Sequence, residues 1–543
     1  MNQKMRQELL DRVETVIIVQ NMSMVRNGIL NSVLRKVKIM EDEWNYYPLV
    51  VAAEYNINLK WVDLNLKYGD HTGDQIHLNQ NSRVLGVYNH FQESYPDGAV
   101  EMDYGLSQNP DETYKPIGHN MFQVYRGETH VRDEYYIGLG GKLRLVNRYE
   151  AGKKQKSIYY DDCGCVSMIQ VYDADNPSYH PFEYYYTPDR VCRLRHEYDC
   201  TDGENQLKKI TLLDGSGHGG REFTSNVELA AHCLDQVLSD ENKCYFLIDE
   251  AGLYTKTPLL VQKKNVMKAC VVHNIFLENP YDLNSAPQRF YRALCEDRNR
   301  YDAIIFLTMK ERADFIRKYP DFDFRKAFVI PHPYPITRAD FDSRDRKKAV
   351  LVARYDPYKR IDHAIKIMKL VNHVLPDVRL EIYGFGSNEQ EYRELIQKLE
   401  LEDTVLLKGF TNDPASIFRG ALFSMMTSSA EGLPLTLMES ICNGCPVFAY
   451  DIKYGPSDVI LNGVTGYLFD KSDWESYART MIAFFQDENA QRQFSENCYE
   501  DAWRFSKEKF LDRWSDCMEA VYARHLEKQR KVWAVWASKS VSV

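Results

Sequence analysis

The chain has 543 residues, too many for one ordinary hydrophobic core, so two or three domains are expected. Hydrophobic residues make up 44% and charged residues 27%, the mix of a soluble globular protein, and a net charge of −10 argues against a general nucleic-acid binder with its basic face. No window approaches about 18 uninterrupted apolar residues, which excludes a transmembrane helix.

The N-terminus places acids before its apolar run and lacks a small-residue cleavage site, so no secretory signal is expected. The 12 cysteines are scattered, several in apolar runs, as in a reduced cytoplasmic protein. Cys163 with Cys165 and Cys442 with Cys445 are the tight pairs, and neither has a second pair at zinc-ribbon spacing.

In chain order, residues 14–20 (ETVIIVQ) predict a buried parallel strand. A turn at Arg26-Asn27-Gly28 and a helix, ILNSVLRKVKIM, follow. Strand, glycine turn and helix open a nucleotide-type α/β unit. Strand signals come next at 48–53 and 59–63. From about 80 to 225 short alternating runs such as FQVYRG, KLRLVNRYE and FEYYYTPD are separated by turn signals at roughly ten-residue spacing. They predict an antiparallel β-meander inserted into the first domain. Its tyrosine-rich strands suit a half-buried sheet face, aromatics being favoured in strands.

The α/β alternation resumes at about 226 with a helix, then strands at 244–250, 268–274 and 302–308, with a helix near 287–299. A second α/β domain starts near 337, with strands at 348–354, 378–384, 404–410, 423–428 and 446–451. The stretch from Trp514 to about Trp536 is helical. The expected domains are therefore 1–80 plus 226–336, an insertion at 81–225, a second Rossmann-like domain at 337–515, and a basic helix or tail at 516–543. Two doubly wound domains form a cleft, and ligands of such sheets sit beyond the carboxyl ends of the strands.

Candidate site residues fall at those ends. Arg354-Tyr-Asp-Pro-Tyr-Lys359-Arg360 brings cations suited to a diphosphate; a solvated basic turn is the competing reading. Gly384 and Gly386 follow the next strand, where glycines let backbone approach a ligand. Gly409 and Phe410 end the third, and Phe410 suits either a flat base or the core. In SSAEGLPLTLMES, Glu431 precedes a helix start and Glu439 lies one turn inside it. The helix start carries free N–H groups suited to an anion. A carboxylate accepts hydrogen bonds from vicinal hydroxyls. Hydroxyls at both ends and phosphate between describe a nucleoside diphosphate sugar. His273, at the end of a first-domain strand, is a polar contact or a structural histidine. Gly28 could offer its N–H to the same diphosphate. The Asp-x-Asp spacings at Asp173/Asp175, Asp321/Asp323 and Asp340/Asp342 lie away from these strand ends and read as solvated turns, so no metal is expected.

With these residues the chain resembles the retaining GT-B glycosyltransferases of family 4, above all the bacterial enzymes that glycosylate poly(ribitol-phosphate) and poly(glycerol-phosphate) wall teichoic acid. The resemblance covers about 225–515. It rests on Arg354 with Lys359, Glu431 with Glu439, and Tyr450-Asp-Ile-Lys-Tyr-Gly-Pro-Ser-Asp458. It implies a GT-B fold with a β-rich accessory domain that mediates oligomerisation or acceptor contact. It also implies transfer of glucose or N-acetylglucosamine from a UDP-sugar, with retention and without a cofactor or metal. Arg354 and Lys359 would bind the diphosphate, Glu431 the donor sugar and Glu439 the ribose. His273 would sit by the reacting face, the Leu435 and Thr436 amides near the phosphates and the backbone around Gly409 and Phe410 near the base, with Gly28, Gly384 and Gly432 also binding the donor. The family has a glycine where Asn27 stands.

Two alternatives stay open: transfer of N-acetylglucosamine to a serine-rich adhesin, and a catalytically silent binding subunit. Retention could run through front-face attack or through a Glu431 nucleophile. Near the C-terminus Arg524, Lys528, Arg530 and Lys531 accompany Trp533 and Trp536. That stretch suits peripheral contact with the inner face of an anionic membrane, or a helix end packed on the first domain.

Overall fold

In the computed structural model the described residues are 3–22, 28–68, 76–93, 110–118, 120–137, 142–201, 203–214, 219–250, 252, 255–471 and 473–540. They build three sheets: a parallel sheet of seven strands, an antiparallel sheet of ten and a parallel sheet of six.

In the first sheet Val13–Val19 lies between Cys244–Asp249, the central strand, and Leu49–Ala52, and every one of its residues is buried, because helices cover both faces of a parallel sheet. Helix Gly28–Trp44 packs on it through Leu30, Val33, Leu34, Val37 and Met40, spaced at three and four residues. Each such buried side chain contributes roughly 1.5–3 kcal/mol of hydrophobic stabilisation. Asn27 lies outside the described residues.

Residues 59–63 do not form the expected strand. They begin helix Leu59–Tyr68, in which Leu59, Val62 and Leu66 share a buried face at helical spacing. A five-residue window hid that period. The boundary expected at residue 81 also shifts: Arg83–Gly86 pairs in parallel with Leu49–Ala52 and closes the edge of the first sheet.

The antiparallel sheet then runs from Glu112–Gly118 to Gly220–Phe223, each strand pairing with its sequence neighbour. It seats on the first domain through aromatic and polar contacts. Tyr88 of helix Val87–Gln92 packs on Tyr185 and His196, Gln92 donates to the Ser167 and Tyr186 carbonyls, and Tyr55 donates to Ser167 Oγ at 2.9 Å. Tyr185 of the insertion thus sits in the seam between the two sheets.

Among the short strands that escape the sequence signals are Ala327–Val329 on the edge of the first sheet and Gly466–Phe469 on the edge of the third. The helix expected near 287–299 is broken into Arg289–Tyr291, Arg292–Glu296 and Arg298–Arg300. Helix Lys507–Ser540 starts earlier than expected and crosses back to the first domain. Trp514 is buried near Phe246 of the first sheet, Arg524 donates to the Asp302 carbonyl at 3.1 Å, and Lys528 pairs with Asp302 at 2.6 Å. Two of the four cations noted there therefore hold the helix against the protein. No described helix is long and apolar enough to cross a membrane.

Candidate active site

A cavity of about 970 Å³ lies between the carboxyl ends of the two parallel sheets. Gly28, His273, Arg354, Lys359, Phe410, Glu431, Leu435 and Thr436 all line it. Gly384, Gly409, Gly432 and Glu439 do not line it directly.

Strand Asp345–Val352 delivers Arg354 and Lys359. Arg354 has a 78% exposed side chain and pairs with Asp356 at 3.0 Å, so its guanidinium can swing to a ligand. Lys359 donates to Glu431 Oε1 at 2.6 Å, both side chains being half-buried or deeper. The cation meant for a leaving group and the carboxylate meant for a sugar neutralise each other here. Arg360 does not join them: it binds Asp362 and His363 on another face.

Gly384 works differently from the expectation. Its φ is +149°, and a Cβ there would stand 1.8 Å from the Ala353 carbonyl oxygen. The glycine lets this loop lie against the Arg354 loop, as the bonds from Ala353 N to Tyr383 O and from Tyr355 N to Phe385 O show. The close approach is to backbone. Gly409 accepts from Gly384 N at 2.9 Å in the same arrangement. Phe410 is 65% exposed, so the core reading of that residue fails. It meets Phe385 edge to face at 5.6 Å, an apolar corner at the cavity wall.

Glu431, Gly432 and Pro434 lead into helix Leu435–Cys442, whose first amides have no side-chain cap. A Cβ on Gly432 would stand 2.3 Å from the His273 carbonyl oxygen, so the absent side chain lets the two domains touch. Glu439 is half-buried. Burial pushes its carboxyl up, and Arg35 of the first domain opposes the shift. Its carboxylate makes no hydrogen bond among the described residues, while its carbonyl accepts from Asn443 Nδ2 at 2.8 Å.

The run Tyr450–Asp458 ties the domains together. Lys453 pairs with Asp314 at 2.7 Å, Tyr454 donates to the same carboxylate at 3.0 Å, and Asp458 accepts from Met309 N at 2.7 Å. Tyr454 N also donates to Glu431 O at 2.7 Å.

The first-domain wall holds residues that the motifs did not mark. Glu250 accepts from His273 Nε2 at 2.9 Å and from the buried Lys36. His332 stacks on His273 at 5.5 Å. Glu250 ends strand Cys244–Asp249, so the strand-end rule that found His273 points to it as well. Lys36 could have been found as a cation on the apolar face of an amphipathic helix. Asp321 pairs with Arg298, Asp323 with Arg325, and Asp342 with Arg346 and Arg492, while Asp173 accepts from the Asp175 and Asn176 amides. These aspartates are engaged where they stand.

Two nucleotide-type sheets facing across a cleft, with a cation–carboxylate pair and a helix start in it, are the GT-B fold of glycosyltransferases. Residues 336–501, the whole C-terminal wall of the cavity, match the family Glycosyl transferases group 1. The chain is 23% identical over 517 residues to the poly(glycerol-phosphate) alpha-glucosyltransferase of Bacillus subtilis, covering 93% of this chain and 74% of that one. It is 28% identical over 295 residues to the poly(ribitol-phosphate) alpha-N-acetylglucosaminyltransferase of Staphylococcus aureus, covering 54% of this chain and 59% of that one. A solved structure of an S. aureus TarM variant, complexed with Fondaparinux, alpha-GlcNAc-glycerol and UDP, superposes with a TM-score of 0.76 at 20% identity, over 93% of this chain and 99% of that one. The fold is shared along nearly the whole chain, insertion included.

Proposed function

We propose that the chain is a retaining glycosyltransferase that moves glucose or N-acetylglucosamine from a UDP-sugar to a hydroxyl of a polyol-phosphate polymer. The observation that carries this reading is the Lys359–Glu431 pair, set beside an uncapped helix start and a free-swinging Arg354 in one interdomain cavity. The names of the two relatives supply the donor and acceptor classes.

Cleaving the anomeric C–O bond places the electron pair on the diphosphate oxygen. Arg354, Lys359 and the amides of Leu435 and Thr436 stabilise that charge, as donors already in place do without reorganising. Lys359 turns from Glu431 to the phosphate, which frees the Glu431 carboxylate for the sugar hydroxyls. Glu439 takes the ribose and Phe410 the base. The ten-stranded insertion supplies the acceptor contact or self-association.

A panel of UDP-sugars against a poly(ribitol-phosphate), a poly(glycerol-phosphate) and a serine-rich peptide tests the reading, with product anomericity read by NMR. α-Linked product on a polyol phosphate is the expected result. Transfer only to the peptide replaces the acceptor class, and binding without turnover of any donor overturns the enzyme.

A further inference from the structure

Behind the first-domain wall of the cavity lies a charged group with no role in the proposed chemistry. The Glu250 and Lys36 side chains are 0% and 4% exposed and in contact with each other. Taking two charges out of water is costly and is offset only by close pairing. Lys36 comes from helix Gly28–Trp44 and Glu250 from the end of strand Cys244–Asp249, so the pair is assembled from separate elements.

The second Glu250 oxygen is 2.9 Å from His273 Nε2. Burial works against the Glu250 charge, but Lys36 and His273 overcome it and hold the carboxyl far below its ordinary range. A carboxylate only accepts, so Nε2 carries the hydrogen. In the neutral ring Nδ1 is then a bare lone pair. Nδ1 is buried and has no hydrogen-bond partner among the described residues, while His273 itself lines the cavity. The ring is held from other sides too. His332 stacks on it with planes 11° apart, and the Tyr291 hydroxyl accepts from the His273 amide at 2.9 Å.

We propose that Glu250, neutralised by Lys36, is a positioning residue. It fixes His273 in the Nε2–H tautomer and leaves Nδ1 as the acceptor for a hydroxyl of the transferred sugar. The proposal rests on the reading of the cavity as a sugar-nucleotide site. It gives the site a preference for a donor whose hydroxyl meets that nitrogen.

The test is ¹⁵N NMR of the histidine side chains in the full-length protein, with the His273 signals identified by their loss in His273→Gln. Near neutral pH, the wild type should show a protonated Nε2 and a bare Nδ1. In Glu250→Gln, whose amide can donate or accept, the tautomers should mix. Donor turnover should then drop about 10- to 100-fold with KM within about threefold, as for other partners that orient a reacting group. Glu250→Asp should recover part of the loss. If the single variant does not fold, Lys36→Met/Glu250→Gln removes both buried charges and takes its place. A wild-type His273 protonated on Nδ1 overturns the proposal, as does a variant with an unchanged tautomer and wild-type turnover. If no UDP-sugar is turned over, the parent reading fails, while the wild-type spectrum still decides the tautomer.

Discussion

The C-terminal wall of the cavity and the inserted sheet hold their polar groups in opposite ways. At the cavity Arg354 is largely exposed and Lys359 pairs with Glu431 of the same site, and behind it the Glu439 carboxylate has no hydrogen-bond partner among the described residues. In the insertion the groups are closed on one another. Glu183 accepts from Gln170, Tyr185 and Tyr198 and pairs with His180, and Arg132 lies between Glu112 and Glu134. Unused hydrogen-bonding capacity beside a cavity is capacity for a ligand. Capacity satisfied inside the protein specifies a shape. The cavity wall therefore keeps capacity for a ligand, while the insertion uses much of its own in internal contacts.

Breaking the donor side should have the largest effect. Lys359→Ala or Glu431→Ala should lower kcat/KM for the donor by about 10²–10³, the scale of losing one preorganised group at a developing charge. Glu183→Gln should stay within a fewfold. Equal losses for both classes in steady-state donor consumption would abolish the distinction. Gly432→Ala comes next. Its methyl group would meet the His273 carbonyl and part the domains. Turnover should drop about 10- to 100-fold through misplacement of the reacting groups, with the unfolding temperature little changed.

Acid should weaken the insertion. Burial lowers His196 to about 4, Glu183 opposing the shift. Its contribution is complete above the unfolded value of 6.5 and is lost as pH falls from there to about 4. Burial also acts on Glu183, but its hydrogen-bond partners win and bring it to about 2. That contribution is complete above 4.5 and lost as pH falls toward 2. Both signs agree. Chemical unfolding should lose on the order of 2–3 kcal/mol more between pH 6.5 and 4 in the wild type than in His196→Gln.

Phe410→Ala should raise the donor KM about three- to tenfold with kcat nearly constant, because the ring offers binding area and no charge. The smallest effect is expected for Lys528→Ala. Its pair with Asp302 is half in solvent, so stability should change by less than about 1 kcal/mol in a denaturant melt.

The same contrast explains what the sequence made legible. Parallel strands such as TVIIV are continuous apolar runs, and residues at their ends, His273, Arg354 and Glu431, announce a cleft by position alone. Helix Leu59–Tyr68 was lost because its buried face, Leu59, Val62 and Leu66, extends beyond the five residues considered. Glu250 and Lys36 stayed hidden for another reason: they are 214 residues apart, and nothing local shows that a buried lysine and a buried glutamate share one contact. The Arg360 cation looked equivalent to Lys359 in the string, yet its left-handed backbone turns it to Asp362.

The peptide from Tyr450 to Asp458 also bears on how fast the protein can let go. Asp458 and Lys453 hold helix Met309–Lys318 of the first domain, and Tyr454 reaches both Asp314 on that helix and the Glu431 carbonyl. Drawing the sheets apart pulls on the turn that carries the Glu431 carboxylate. Separation of the sheets and the setting of the Glu431 turn thus run through one short segment.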